Sequence, residues 1–519
     1  MLHASLDRMR RLRIAHLPLA RLSRHASSSA PLRELHSFYI DGEWVQPVQG
    51  VGSTLDVVNP ATEAPFASLA MGSAADVDVA VAAARRAFET WSLTSRDERL
   101  ALLERLGEVY RARQPEIAAA ISEEMGAPIK MAKQQQSAAG LGHIKDVIRT
   151  LRAFSFEAPL RADTPTERLV HMPIGVCGLI TPWNWPLNQV ALKVVPALAA
   201  GCAVVLKPSE IAPLSSLLFA ECVHEAGFPP GTFNLVNGDG ASVGQRLASH
   251  PDVEMVSFTG STRAGRAVSV AAAEGVKRVV LELGGKGPNL VFADCGDVAA
   301  AVRRGARHCF HNSGQSCNAP TRMLVERAVY DEAVAVAAEA AAAQRVGDPA
   351  RDGGHIGPLA SGVQWERVQA YIEGGVGSGA RLVAGGPGRP DGLATGYFAR
   401  PTVFADVAPS APIFTDEIFG PVLSMAPFDS EAEAVALAND SAYGLTSYVQ
   451  TACPARARRV SRALRAGMVS LNGAARAPGS PFGGVKQSGN GREGGEMGMR
   501  EYLEVKAVSG WPVGEGDVY

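Results

Sequence analysis

Cysteine is sparse in this 519-residue chain: seven residues, at 177, 202, 222, 295, 309, 317 and 453. No two form a C-x-x-C pair and no histidines stand near them at zinc-ligand spacing, so neither a disulfide framework nor a metal centre is expected. A reducing compartment suits that pattern. An excess of positive charge is missing as well. Fifty basic against 52 acidic residues leave a net charge of −2, which provides no counterion-release drive toward nucleic acid. Nor is there a long hydrophobic run. The longest uncharged apolar stretch, Val194 to Leu206, contains Pro196 and Gly201 and falls well short of the roughly 20 residues that a spanning helix needs. The composition predicts a soluble protein without a nucleic-acid or membrane partner.

What the chain does have is 46% hydrophobic and 20% charged residues, an ordinary globular balance, and enough length for about three domains. Its first 29 residues differ from the rest. Arg8, Arg10, Arg11, Arg13, Arg21 and Arg24 stand against one acid, Asp7, and Leu2, Leu6, Met9 and Leu12 share a helical face ahead of Ser27-Ser28-Ser29. That is the pattern of a mitochondrial transit peptide, which would place the protein in the matrix. Lysine is scarce throughout, nine against forty-one arginines, so the same segment also reads as a compositionally biased extension on a cytoplasmic protein. Residues 1–32 are set aside from the fold on either reading.

From Phe38 the chain reads as packed structure. Phe38-Tyr39-Ile40, Asp41-Gly42 and Trp44-Val45 form a strand, a turn signal and a second strand, opening an arm or a small hairpin. Residues 74–150 read as mainly helical: Ser95-Arg96-Asp97-Glu98 is a capping box, apolar residues follow at helical spacing, and Gln114-Pro115 is expected to end that segment. Beyond Val170, short apolar runs at 176–180, 203–206, 233–236, 255–258, 279–281 and 290–292 alternate with helix-like stretches. This predicts an α/β protein with a parallel sheet covered on both faces, whose ligands sit beyond the carboxyl ends of the strands. A second alternating block covers 299–470. The glycine-rich segment 374–392 reads as a loop, 478–495 as a loop that shapes a site, and 502–508 as a last strand.

Several short motifs could carry chemistry, most of them at strand ends. Cys317 follows Asn312-Ser313-Gly314-Gln315-Ser316; a glycine just upstream lets a substrate oxygen reach a main-chain N–H while sulfur attacks. The other six cysteines lie in apolar or helical contexts that suit small buried hydrophobes, and Cys317 alone could be one too. Glu282, in Leu281-Glu282-Leu283-Gly284-Gly285-Lys286, is either a desolvated general base or a strand-end charge facing water. Asn184, in Thr181-Pro182-Trp183-Asn184-Trp185-Pro186, is either an oxyanion donor on a rigid turn or an Asx turn. Phe258-Thr259-Gly260-Ser261-Thr262-Arg263-Ala264-Gly265 is a strand, a glycine turn and a helix start able to receive a pyrophosphate. Gly238-x-Gly240-x-x-x-Gly244 is a weaker relative of a dinucleotide fingerprint. Lys207-Pro208-Ser209-Glu210 offers a cation and a carboxylate to an adenosine ribose. That carboxylate would repel a 2′-phosphate, favouring NAD over NADP.

Taken in order, with Glu417-Ile418-Phe419-Gly420-Pro421 and Pro481-Phe482-Gly483-Gly484, these motifs resemble the aldehyde dehydrogenase superfamily over about Phe38 to Val508. The resemblance implies a Rossmann-type coenzyme domain (37–149 and 170–284), an α/β catalytic domain (285–482) and a small β oligomerisation arm (150–169 and 500–515) building a homodimer or homotetramer. It implies Cys317 as nucleophile, Glu282 as base, Asn184 with the Cys317 N–H as oxyanion site, and Lys193 as support for that network. For the coenzyme it implies Lys207, Ser209 and Glu210 at the adenosine ribose, Gly260, Ser261 and Gly265 at the pyrophosphate turn, Glu417 at the nicotinamide ribose with Phe419 against the ring, and Trp183 and Gln364 as lesser contacts. The partner is a small aldehyde, oxidised to an acid through a hemithioacetal and a thioester. Coenzyme-A-acylating members lack the glutamate at the Glu282 position, and a non-catalytic scaffold would be expected to lose Cys317 or Glu282. Trp185, Gln189, Ser316, Asn318, Phe482 and the 473–480 loop are implied to line the substrate tunnel. Arg476 in that loop meets an acidic substrate or simply faces solvent.

Overall fold

A computed structural model describes residues 32–512. The reading of the Arg-rich N-terminal segment therefore falls outside the described residues, except for Leu32, as do positions 513–515 of the expected arm.

The first hairpin forms as the turn chemistry dictates. Strands Phe38–Ile40 and Glu43–Val45 pair antiparallel, and Asp41 and Gly42 both take left-handed φ, 54° and 83°, the two-residue geometry that matches strand twist. The hairpin is not a free arm: Tyr39 pairs with Leu235, adding it to the edge of a large sheet. A separate three-stranded sheet, not expected from the sequence, joins Arg33–Leu35 with Thr54–Asn59 and Ala64–Ala70.

Residues 74–153 are largely helical. The helix Arg96–Met125 starts on the reciprocal Ser95/Glu98 capping box and stops at Gly126 in the left-handed region. It does not end at Pro115, contrary to expectation, but runs through it. An interior proline costs about 3 kcal/mol. Leu106, Tyr110, Ile117 and Ile121 are all fully buried on either side of it, and burial of about 1.5–3 kcal/mol per large apolar side chain outweighs that cost.

Five parallel strands form the centre of an eight-stranded sheet: Val176–Ile180, Ala203–Lys207, Phe233–Leu235, Met255–Thr259 and Arg278–Glu282. The first lies in the middle; the next two extend from one side of it and the last two from the other. Strand order thus reverses between Val176–Ile180 and Met255–Thr259, and ligands bind at the carboxyl ends of such a switch point. The segments leaving those two ends are Thr181-Pro182-Trp183-Asn184 and Gly260-Ser261.

A seven-stranded sheet comes next, with Arg381–Ala384, Thr402–Ala405, Val422–Phe428, Arg322–Glu326, Pro288–Val291, Thr446–Gln450 and Met468–Leu471 in spatial order. All neighbours are parallel except the first pair. The segment 374–392, expected as a loop, contains the end of helix Gly362–Gly377 and the edge strand Arg381–Ala384; residues 378–380 and 385–392 are irregular. Its glycines obscured a short edge strand.

The last strand, Leu503–Ser509, pairs antiparallel with Glu167–Pro173, which in turn pairs with Glu157–Pro159. The two segments of the expected arm therefore pair with each other within the chain. This small sheet runs on to Pro173, past the expected boundary at 170, while helix Ser137–Ala153 extends beyond 150. No helix among the described residues is long and apolar enough to cross a membrane.

Candidate active site

Cys317 is presented by a chain reversal. After helix Val298–Phe310, Asn312, Ser313 and Gly314 all take positive φ. At Gly314 a Cβ would lie 2.1 Å from the Gly420 carbonyl oxygen, so glycine is required there. Asn312 steadies the reversal by donating from its amide to the carbonyls of Asn184 (3.0 Å) and Gln315 (3.2 Å). Gly284 and Gly285 let the neighbouring elements close in. A Cβ on Gly285 would sit 2.3 Å from the Cys317 carbonyl oxygen, and one on Gly284 2.3 Å from Glu417 Oε2.

Of the other six cysteines, four are buried as expected; Cys295 and Cys453 are half-buried, Cys453 capping helix Pro454–Ala463. Burial pushes the Cys317 thiol well above its ordinary range, and the charges of Glu417, Glu282 and Glu493 add to the effect, while its own backbone N–H partly offsets it.

Glu282 ends its strand with 2% exposure, and neither carboxylate oxygen has a hydrogen-bond partner. It is not a strand-end charge facing water. Burial and the charge of Glu493 hold its carboxyl well above the usual range, against the pull of Lys193, Arg492 and Arg476. Such a group is a strong base once ionised.

Asn184 is 4% exposed. One N–H of its side-chain amide donates to the Gln315 carbonyl at 2.9 Å, and its main-chain carbonyl accepts from Gln136 at 3.1 Å and from Asn312. The side-chain amide is thus tied to the Cys317 loop, and the backbone that carries it to Gln136 and Asn312, rather than closing a local Asx turn. Asn184→Ala is expected to lower kcat by about 10²–10³-fold, the usual cost of one oxyanion donor, with coenzyme affinity unchanged; steady-state kinetics beside a coenzyme titration checks this.

Lys193, on helix Pro186–Ala200, is fully buried; its Nζ donates to Ser257 Oγ (2.9 Å) and to Glu493 Oε1 (2.5 Å). Glu493 is the residue that sequence reasoning missed. It arrives from the glycine-rich loop 478–495, held by reciprocal main-chain bonds with Phe482 at 2.7 Å, and its Oε2 has no partner. The loop was legible as site-shaping, but no spacing in the sequence linked Glu493 to Lys193, 300 residues away.

The expected coenzyme residues flank this centre. Gly260 N–H donates to the Glu282 carbonyl at 3.0 Å, and the exposed Ser261 caps helix Thr262–Ala273, its Oγ accepting from Ala264 N–H at 3.3 Å. Gly265 lets that helix pack against Leu283, where a Cβ would come within 2.6 Å. Lys207 Nζ donates to Glu210 Oε2 at 2.8 Å, and Ser209 Oγ accepts from Ile211 N–H. Glu417 Oε1 accepts from Gly285 N–H at 2.9 Å, and burial pushes its carboxyl up to about 7 despite that bond and the nearby Arg367 and Lys286. Trp183 and Phe419 meet edge to face at 5.4 Å. Gln364 donates from its amide to the carbonyls of Ile418 (3.2 Å) and Phe419 (2.9 Å), so it shapes the loop bearing Phe419. Trp185 Nε1 donates to Ser316 Oγ at 2.8 Å and its ring stacks on His311.

The sequence model of the aldehyde dehydrogenase family matches residues 44–508. The chain belongs to the aldehyde dehydrogenase family. A Pseudomonas 3-succinoylsemialdehyde-pyridine dehydrogenase is 54% identical over 92% of this chain and 99% of its own length. The crystal structure of an aldehyde dehydrogenase from Bartonella henselae is 53% identical, with a TM-score of 0.91 over 92% of this chain and 100% of that one. A variant of aldehyde dehydrogenase C from Pseudomonas syringae, in complex with NAD+ and octanal, is 50% identical, with a TM-score of 0.90 over 93% and 98% of the two chains. The family and the α/β fold expected from the sequence are thereby established, and membership makes the protein an oxidoreductase of the aldehyde group.

Proposed function

We propose that this aldehyde dehydrogenase converts an aldehyde to the free carboxylic acid, with NAD as coenzyme and Cys317 carrying the acyl group. The observation that carries this reading is Glu282, a buried carboxylate with both oxygens unpartnered whose charge acts on the Cys317 thiol. Nothing in the fold requires a buried, unpaired carboxylate there. A water-activating base does.

The Cys317 sulfur adds to the aldehyde carbon, and the new alkoxide is held by Asn184 and the Cys317 N–H. When bound, the nicotinamide coenzyme supplies the acceptor for the hydride that leaves this carbon. A thioester remains on Cys317. Glu282 takes a proton from water, the hydroxyl attacks the thioester carbon, and the sulfur leaves. Lys193 and Glu493 set the charge around Glu282. The glutamate favours hydrolysis over coenzyme-A acylation, which needs no activated water.

The residues fit a dinucleotide. Thr259 Oγ1 is buried without a partner just before Gly260, and the N-terminus of helix Thr262–Ala273 opens at the exposed Ser261, a ready anion site. Lys207, Ser209 and Glu210 would hold the adenosine ribose. Glu417, with Trp183, Phe419 and Gln364 around it, would hold the nicotinamide end. The P. syringae relative carries NAD+, in keeping with this. In this reading the eight-stranded sheet and its helices form the coenzyme domain, the seven-stranded sheet the catalytic domain, and the small sheet ending at Ser509 the contact that builds a homodimer or homotetramer. Glu210→Ala should bring the KM for NADP down by about 10-fold or more by removing a carboxylate that repels a 2′-phosphate; initial rates with both coenzymes decide it.

The direct test is NADH formation from purified protein over aliphatic, aromatic and acidic aldehydes, with and without coenzyme A. Turnover without coenzyme A supports hydrolysis. Turnover only with coenzyme A would overturn it.

A further inference from the structure

Arg476 stands in the loop between strand Met468–Leu471 and Phe482. Its guanidinium lies 4.9 Å over the Phe482 ring, and Nη2 donates to the Ser480 carbonyl at 2.9 Å. Of the other seven described arginines that stack on aromatic rings, Arg33, Arg389, Arg456 and Arg500 each have a carboxylate partner (Glu123, Glu63, Asp294 with Glu431, and Glu496), while Arg99, Arg322 and Arg367 donate to main-chain carbonyls. Among the described residues no carboxylate comes within ion-pairing distance of Arg476, and its one hydrogen bond leaves most of its N–H groups uncommitted.

Two observations place this cation at the reacting centre's approach. Arg476 lines a cavity of about 570 Å³ together with Asn318, the residue after Cys317, and Tyr448, whose hydroxyl donates to the Asn318 carbonyl at 2.6 Å. The ring beneath it belongs to Phe482, whose main chain is bonded to Glu493 and whose neighbour Gly483 abuts Glu282: a Cβ there would lie 2.6 Å from Oε1. Arg476 is solvent-exposed, as a residue that receives an incoming ligand must be; desolvation by its neighbours lowers the guanidinium's pKa, while Tyr448, Glu282 and Cys317 raise it.

We propose that Arg476 determines substrate class by binding a carboxylate at the far end of the aldehyde, so that ω-oxo carboxylic acids are the preferred substrates. The proposal rests on the aldehyde-oxidising reading above. The charges of Glu417, Glu282 and Glu493 act on the Cys317 thiol and would repel a second anion beside it. An acidic substrate is accommodated only if its carboxylate stays at the mouth on an unpaired cation. Phe482 fixes the guanidinium plane, leaving a fork suited to a two-point carboxylate contact.

The test compares ω-oxo acids of four to eight carbons with their methyl esters and with n-alkanals of equal length, using the full chain and NAD, for wild type, Arg476→Ala and Arg476→Lys. Wild type is expected to prefer the acid over its ester for at least one chain length. Arg476→Ala should lower that acid-to-ester ratio of kcat/KM by about 10–100-fold, the worth of a charged hydrogen-bonded contact, through KM rather than kcat. Arg476→Lys should fall between them, keeping charge but not the fork. A ratio unmoved by Arg476→Ala, or an equal loss on acid, ester and alkanal with a shifted pH profile, would overturn the assignment, the latter placing Arg476 on the thiol or base instead. If wild type oxidises no aldehyde at all, the dehydrogenase reading itself falls, and this proposal with it.

Discussion

Cys317→Ala is expected to abolish NADH formation, with a loss of at least about 10³-fold, because without the sulfur the aldehyde has no route to an alkoxide that can expel hydride. An aldehyde carbon bears no other leaving group. No second thiol is placed to substitute: Cys177, Cys202, Cys222 and Cys309 are buried, and Cys295 and Cys453 lie in a turn and a helix cap away from the Asn184 amide. The variant should fold normally, since alanine fills the space without the unfavourable burial that raises the thiol. Absorbance of NADH gives the rate, and thermal unfolding beside wild type separates lost chemistry from lost structure.

Glu282→Gln is expected to separate the two halves of the reaction. Removing the carboxylate charge eases ionisation of Cys317, because Glu282 is one of the groups holding that thiol up. Acylation and the first NADH should therefore survive. Hydrolysis loses its base, a cost of about 10²–10⁴-fold, so NADH should appear as a burst of one per subunit followed by a slow phase. The pH dependence has a definite sign. Burial and Glu493 hold the Glu282 carboxyl high, so its base form grows as pH rises beyond the ordinary carboxylate range and the wild-type steady state rises with it. In Glu282→Gln the hydrolytic slow phase should lose that limb, while the burst rate still rises with pH as Cys317 ionises. Stopped-flow traces across pH read both phases.

The strand–helix rhythm after Val170 was legible because parallel strands buried on both faces, such as Val176–Ile180 and Ala203–Lys207, are continuous apolar runs. Glu282 and Asn184 were legible as residue types at strand ends and Cys317 as a thiol just after a glycine, and resemblance supplied their roles. What local pattern could not show was tertiary. Pro115 reads as a helix end, and packing of Tyr110 and Ile117 carries the helix past it. Segment 374–392 reads as a loop, yet Arg381–Ala384 gains a ladder from Thr402–Ala405. Glu493 and Gln364 act through contacts 300 and 55 residues away, and no sequence spacing encodes those.

The central claim, a covalent acyl-enzyme on Cys317 hydrolysed through Glu282, is tested most directly by rapid-quench mass analysis of Glu282→Gln mixed with NAD and aldehyde. The predicted result is an acyl adduct confined to the peptide containing Cys317, formed in step with one NADH per subunit. NADH without an adduct, an adduct on another cysteine, or turnover continuing linearly past one equivalent at the wild-type rate would contradict it.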